Sequence, residues 1–104
     1  MKELTVQELQ KMREENTDHQ LIDVREAHEY EMANISGELI PLGNVLSSLD
    51  KISKDKPVVI HCRSGARSGA IITELEKNHG YTNLMNLKGG IVAWATEIDP
   101  SLSL

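Results

Sequence analysis

The run Val58-Val59-Ile60 is apolar at every position and continues through His61 to Cys62, the only cysteine of the chain. A strand with one wet face alternates apolar and polar residues. A run without that alternation must be covered on both faces, as in a parallel sheet held between helices. The residues that follow, Arg63-Ser64-Gly65-Ala66-Arg67-Ser68, are small or charged. Ala66, Ala70, Ile71 and Leu75 then recur at helical spacing as far as Asn78-His79-Gly80, where Gly80 can take the left-handed conformation that ends a helix. A buried strand, a short loop and a helix thus adjoin, and the thiol stands where strand becomes loop.

The rest of the chain alternates in the same way. Thr5-Val6-Gln7-Glu8 is a capping box, and Val6, Leu9 and Met12 repeat at helical spacing, which predicts a helix from Thr5 to about Asn16. Leu21 to Val24 reads as a strand and Arg25 to Met32 as a short exposed helix. Ile35 to Pro41 reads as a turn and a very short strand, closed by Pro41 because proline has no N–H to donate. Leu42, Val45, Leu46 and Leu49 predict another helix before the turn residues Lys54 to Pro57. Leu84 to Leu87 reads as a last strand. Gly89-Gly90 then turns into a short helix whose Trp94 belongs to the core, since the chain has no phenylalanine. The alternation predicts one α/β domain over residues 1–104, with a mostly parallel sheet of about five strands flanked by helices.

At 104 residues a domain buries roughly two-thirds of the surface its unfolded chain exposes, so this fold can rest on a core without staples. A single cysteine excludes an internal disulfide. The stretch from Met1 to Asn16 lacks the apolar segment of a signal peptide, and no later stretch has the length of a membrane span. A cytoplasmic location with no membrane partner is the expectation. The net charge is −5, and residues 1–38 carry ten acidic against four basic side chains, which makes nucleic acid an unsuitable partner. The four histidines show no ligand spacing, so neither a metal nor another cofactor is expected. Against this acidic background Arg63 and Arg67 form a local positive exception suited to a small anion.

In parallel sheets the functional crevice lies beyond the carboxyl ends of the strands, which is where Cys62 stands. The loop after it enters a helix, whose first N–H groups are unpaired and favour negative charge. Gly65 lets the backbone curl there. Helix N-termini and nearby cations lower a cysteine pKa from about 8.5 to about 3.5–7.5, so Cys62 is expected to be a thiolate at neutral pH. Ionisation has a limited yield, because about 3 % of an ordinary thiol is already ionised at pH 7. Full ionisation gains roughly 30-fold, about 2 kcal/mol. The larger contribution of such a loop is electrostatic: it holds an anionic donor and stabilises an anionic leaving group.

Cys62-Arg63-Ser64-Gly65-Ala66-Arg67-Ser68 resembles the active-site loop of the rhodanese family of sulfurtransferases. Leu21-Ile22-Asp23-Val24-Arg25-Glu26 is similar to that family's Asp-Val-Arg segment and Ile40-Pro41-Leu42 to its Ile-Pro segment. Leu87-Lys88-Gly89-Gly90-Ile91 with Trp94 resembles its C-terminal Gly-Gly-Ile and Trp. The resemblance implies a rhodanese-like three-layer sandwich and a sulfurtransferase. In that scheme Cys62 attacks the sulfane sulfur of a small anionic donor such as thiosulfate and becomes a persulfide as sulfite leaves. It then passes the sulfur to a thiol or cyanide, or to a protein sulfur carrier. The family pattern further implies that the backbone of Arg63, Ser64, Gly65, Ala66 and Arg67, with Ser68, binds the sulfur, and that the two arginine side chains attract the donor. Arg67 has an alternative, turning inward to pair with a carboxylate. Asp23 and Arg25 are expected to brace the loop by hydrogen bonds, and His61 either to tune Cys62 or to pack the strand end.

The chain departs from the family at Asn34-Ile35-Ser36-Gly37-Glu38, where many members read His-Ile-Pro-Gly-Ala. Three other readings compete. Cysteine phosphatases and arsenate reductases open on the same His-Cys dipeptide, but only four residues separate Cys62 from Arg67, one fewer than in their loop. Each residue spans up to about 3.5 Å, so the shorter ring suits one sulfur atom better than a phosphate. A non-catalytic binding module has usually lost the cysteine, which is present here. A persulfide carrier fed by a protein donor uses the same residues.

Overall fold

The computed structural model describes residues 1–104. Five strands, β1 (Glu3–Leu4), β2 (Gln20–Asp23), β3 (Glu38–Leu39), β4 (Val58–His61) and β5 (Leu84–Leu87), form one sheet in the order β1-β5-β4-β2-β3. Every pairing is parallel, so the mostly parallel sheet expected from sequence is wholly so. β4 is the central strand and is buried at all four positions, as its unbroken apolar run requires.

Four helices cover the sheet: α1 (Val6–Glu14), α2 (Ala27–Met32), α3 (Ala66–Asn78) and α4 (Gly90–Glu97). The pleat sends Val58, Ile60 and Cys62 to one face, against Ile71, Ile72 and Leu75 of α3. Val59 goes to the other, with Leu9 of α1 and Ile91 and Trp94 of α4. The result is the three-layer sandwich implied by the family resemblance. Leu9, Ile72, Leu75 and Ile91 are each fully buried, and such side chains contribute about 1.5–3 kcal/mol apiece. No helix is long and apolar enough to cross a membrane.

Local chemistry explains the ends. The capping box of α1 is present: Thr5 N–H donates to Glu8 Oε1 at 2.9 Å and Glu8 N–H to Thr5 Oγ1 at 3.1 Å. α1 stops at Glu14, short of the predicted Asn16, which has turned into the left-handed region. Gly80 closes the segment after α3 with φ of +72°, as expected. One expectation fails. The helix predicted over Leu42 to Leu49 is instead two separate 3-10 turns, Leu42–Asn44 and Leu49–Lys51. Gly43, Asn44, Ser47 and Ser48 are poor helix formers, and the segment closes short bonds such as Val45 N–H to the Leu42 carbonyl at 3.3 Å. Leu42 and Leu49 still pack on the core. β1 was not anticipated, because its two residues sit directly before the helix cap and gain strand character only by pairing with Asn86 and Leu87.

The departure at Asn34–Glu38 builds its own turn. Ser36 is left-handed, its N–H donates to Asn34 Oδ1 at 2.9 Å, and Tyr30 Oη donates to the Gly37 carbonyl at 2.7 Å.

Candidate functional site

Cys62 leaves the carboxyl end of β4 only 1 % exposed, at the floor of a loop that bends at Gly65. Gly65 has φ of +109°, a conformation open to glycine, and it directs the Gly65 N–H onto Cys62 Sγ at 3.1 Å. Ser68, one turn into α3 and buried, places Oγ 3.3 Å from the same sulfur.

The loop's carbonyls face the other way. Those of Cys62 and Arg63 accept the N–H groups of Ile91 and Val92, at 3.0 and 3.1 Å. The first turn of α4 thereby satisfies its unpaired donors, and the loop is left with carbonyls on one side and N–H groups on the sulfur side. Gly90 makes this contact possible: its φ is +59°, and a Cβ there would sit 2.6 Å from the Cys62 oxygen and press on the Arg63 carbonyl.

Burial opposes ionisation of the thiol. The Ser68 hydroxyl and the N–H groups of Ser68, Gly65 and Ser64 outweigh it, so the Cys62 pKa lies below that of an ordinary cysteine. Hydrogen bonds lead this lowering, and arginine charge, expected from sequence to share in it, is not among the main causes.

The two arginines part company. Arg67 turns to Glu29 of α2 in a two-pronged pair, Nη1 to Oε1 at 2.7 Å and Nη2 to Oε2 at 2.9 Å, the inward alternative raised by the sequence. The Arg67 side chain holds the Glu29 pKa down to about 2, so the pair is charged throughout the neutral range. Arg63 is exposed.

Asp23 and Arg25 form a buried pair beneath the rim. Arg25 Nε and Nη2 donate to the Asp23 carboxylate at 3.0 and 2.7 Å, and the Arg25 backbone N–H adds a bond at 3.0 Å. The guanidinium also donates to the carbonyls of Ala33, at 2.8 Å, and Glu29, at 3.4 Å. The brace expected of these residues therefore runs from β2 to α2, which carries the Glu29 that holds Arg67. His61 is buried, with Nδ1 3.3 Å from the Cys62 carbonyl and Nε2 3.5 Å from Asp23 Oδ2. Burial lowers its pKa against the pull of the Asp23 carboxylate, and the ring packs the strand end against the backbone of Cys62.

Residues 5–97 match the family model of the rhodanese-like domain. The chain belongs to that family. A Bacillus subtilis (strain 168) protein, YqhL, is 44 % identical to this rhodanese-like domain over 80 residues, which cover 76 % of this chain and 63 % of that protein. An Allochromatium vinosum protein named a sulfurtransferase is 41 % identical over 76 residues, covering 72 % of this chain and 70 % of its own. Among solved structures, a rhodanese-like domain protein from Staphylococcus aureus superposes with a TM-score of 0.84 at 30 % identity, covering 100 % of this chain and 98 % of that one.

Two residues of this rhodanese-like site escaped the sequence reading. Glu29 lies in the stretch that reads from sequence only as a short exposed helix. Asn86 looked like an ordinary strand residue, yet it is 5 % exposed, accepts from Ser68 Oγ at 2.6 Å and donates to the Gly65 carbonyl at 3.1 Å. Its one legible signal was a polar amide inside the otherwise apolar run Leu84-Met85-Asn86-Leu87. Cavity size is no guide to the site. Clefts of about 290 and 350 Å³ lie at Lys56 and Asn83, and at Thr5 and Lys88. The cleft beside the loop, lined by Arg25, Glu29, Met32, Arg63 and Leu104, holds about 50 Å³.

Proposed function

We propose that this rhodanese-like domain is a sulfurtransferase with Cys62 as nucleophile. The Cys62 thiolate attacks the outer sulfur of a donor such as thiosulfate. The donor S–S bond breaks, sulfite departs with the bonding pair, and Cys62 is left as a persulfide anion. An acceptor thiolate or cyanide then attacks the outer sulfur and releases the Cys62 thiolate. The observation that carries this reading is the polarity of the loop: its N–H groups gather on the sulfur while α4 takes its carbonyls. That arrangement favours an anionic sulfur without a counterion. A disulfide bond of about 2 Å sets the transferable sulfur beyond the buried Sγ.

In this reading Ser64, Gly65, Ala66 and Ser68 form the cradle, Arg63 meets the donor, and Arg67 positions the loop through Glu29. The name of the Allochromatium vinosum relative supports sulfur transfer. Intact mass spectrometry after thiosulfate treatment tests it. A gain of one sulfur atom, removed by cyanide or dithiothreitol and absent in Cys62→Ser, is expected. An unmodified parent protein, or aryl phosphate turnover lost in Cys62→Ser, sinks the proposal.

Arg63 has its own test. Arg63→Ala is expected to raise KM for the dianion thiosulfate about fivefold, as loss of one exposed charge contact of about 1 kcal/mol would. It should change KM for the monoanion benzenethiosulfonate less. Equal changes with both donors remove Arg63 from donor docking.

A further inference from the structure

A proton count beside Cys62 comes out one short. Asn86 Nδ2 donates to the Gly65 carbonyl at 3.1 Å, which fixes the amide with Oδ1 towards Ser68. Ser68 Oγ lies 2.6 Å from that Oδ1 and 3.3 Å from Cys62 Sγ. Two oxygens at 2.6 Å need a proton between them; the amide oxygen has none, and a serine hydroxyl has one. In this arrangement the Ser68 proton points at Asn86. Ser68 then offers lone pairs to the sulfur, a partner for a thiol S–H and a poor one for a thiolate. Both residues are buried, so bulk water does not supply the missing donor.

We propose that Asn86 is a positioning residue for sulfur transfer, holding the Ser68 hydroxyl proton while Cys62 Sγ is uncharged and yielding it to Sγ only in the thiolate. This rests on Cys62 being the nucleophile. The hydroxyl follows charge through the cycle. In the thiol it donates to Asn86 and accepts the S–H. When the thiolate forms, the proton turns to Sγ and the Ser68–Asn86 bond is given up. In the persulfide the negative charge sits on the outer sulfur, and the hydroxyl returns to Asn86. Asn86 therefore disfavours the thiolate relative to the states on either side of it. The thiolate stays more basic and more nucleophilic, and loading with sulfur restores a buried hydrogen bond.

The charged and titratable groups on the surrounding elements are His61 of β4, Asp23 of β2 with Arg25, and Glu26 and Glu29 at α2. Also among them are Glu3 of β1, which pairs in register with Asn86; Arg63 and Arg67 of the loop and α3; Lys88 after β5; and the Met1 amino group and Lys2 before β1. His28 and Glu31 of α2, Glu74, Glu76 and Lys77 of α3 and Glu97 of α4 lie farther along their helices. The variants of the test leave all of these in place.

The test is a pH titration of thiolate ultraviolet absorbance in the reduced parent, Asn86→Val, Ser68→Ala and the double variant. Valine suits a strand, and the Gly65 carbonyl keeps the Gly69 N–H as a donor at 3.0 Å. In Asn86→Val the ratio of thiolate to thiol at a given pH rises about three- to tenfold, because the freed hydroxyl donates to the sulfur. In Ser68→Ala the ratio falls, and adding Asn86→Val changes nothing further. A shift that persists without the serine, an unchanged ratio, or a fall in Asn86→Val overturns the proposal. Asn86→Ala carries the same expectations if valine disturbs the strand. Alkylation by iodoacetamide gives a second readout: its limiting rate at high pH falls roughly two- to threefold in Asn86→Val, since nucleophilicity follows basicity. A faster limiting rate also overturns it. Neither measurement uses a sulfur donor, so failure here is separable from failure of sulfur transfer itself.

Discussion

Asp23→Ala is expected to destabilise the domain by about 3–5 kcal/mol, measured by urea denaturation followed through Trp94 fluorescence. The Asp23 carboxylate is 0 % exposed and Arg25 3 % exposed, so removing the acid strands a buried guanidinium. Arg25 keeps its carbonyl acceptors on Ala33 and Glu29, but the nearby Glu29 carboxylate is already paired with Arg67. A domain of this kind has about 5–15 kcal/mol in total, so the loss is about three-fifths or more of the smaller of those values. Glu29→Gln makes the contrast. The Arg67–Glu29 pair is 34 % and 21 % exposed, and its loss is expected within about 1 kcal/mol. If Asp23→Ala costs less than about 1 kcal/mol, the pair does not brace β2 to α2 as described.

Gly90→Ala is the second large effect. The residue has φ of +59°, and an added Cβ would lie 2.6 Å from both the Cys62 oxygen and the Arg63 carbonyl carbon. These are backbone atoms, so the methyl cannot be accommodated by a side-chain rotation, and either α4 or the loop must shift. The left-handed conformation costs a non-glycine residue about 1–3 kcal/mol, and overpacking adds about 1–3. A total of about 2–6 kcal/mol is expected. A displacement near 1 Å of the groups around Sγ should slow persulfide formation about a hundredfold. Gly43→Ala is the control, since nothing lies within 4 Å of its Cβ, and it should leave both stability and rate near the parent's. A Gly90→Ala protein that loads sulfur at the parent's rate would falsify the role given to the contact between α4 and the loop.

Where the sequence spoke clearly, the reason was local. β4 is legible because cover on both faces writes an unbroken apolar run, and α1 is legible because its cap uses side chains three residues apart. Cys62 could be placed at a strand end for the same reason. The Leu42 to Leu49 helix was misread because apolar spacing survives in two 3-10 turns that wrap over the core, while the glycine, asparagine and serines between them break the hydrogen-bond ladder. β1 and the role of Asn86 depend on partners roughly eighty and twenty residues away in the chain, and no local pattern encodes a partner at that distance.

The sequence by itself determined the alternation of strands and helices, the strand that carries the thiol, and the short loop that leads from it into a helix N-terminus, because periodicity, caps and glycines act over a few residues. Only the tertiary structure decided what each charge does. It turned Arg67 to Glu29, left Arg63 exposed, set α4 behind the loop carbonyls, and brought Asn86 to Ser68. Those pairings join elements distant in sequence, and a buried polar group takes whichever partner the packing brings within about 3 Å.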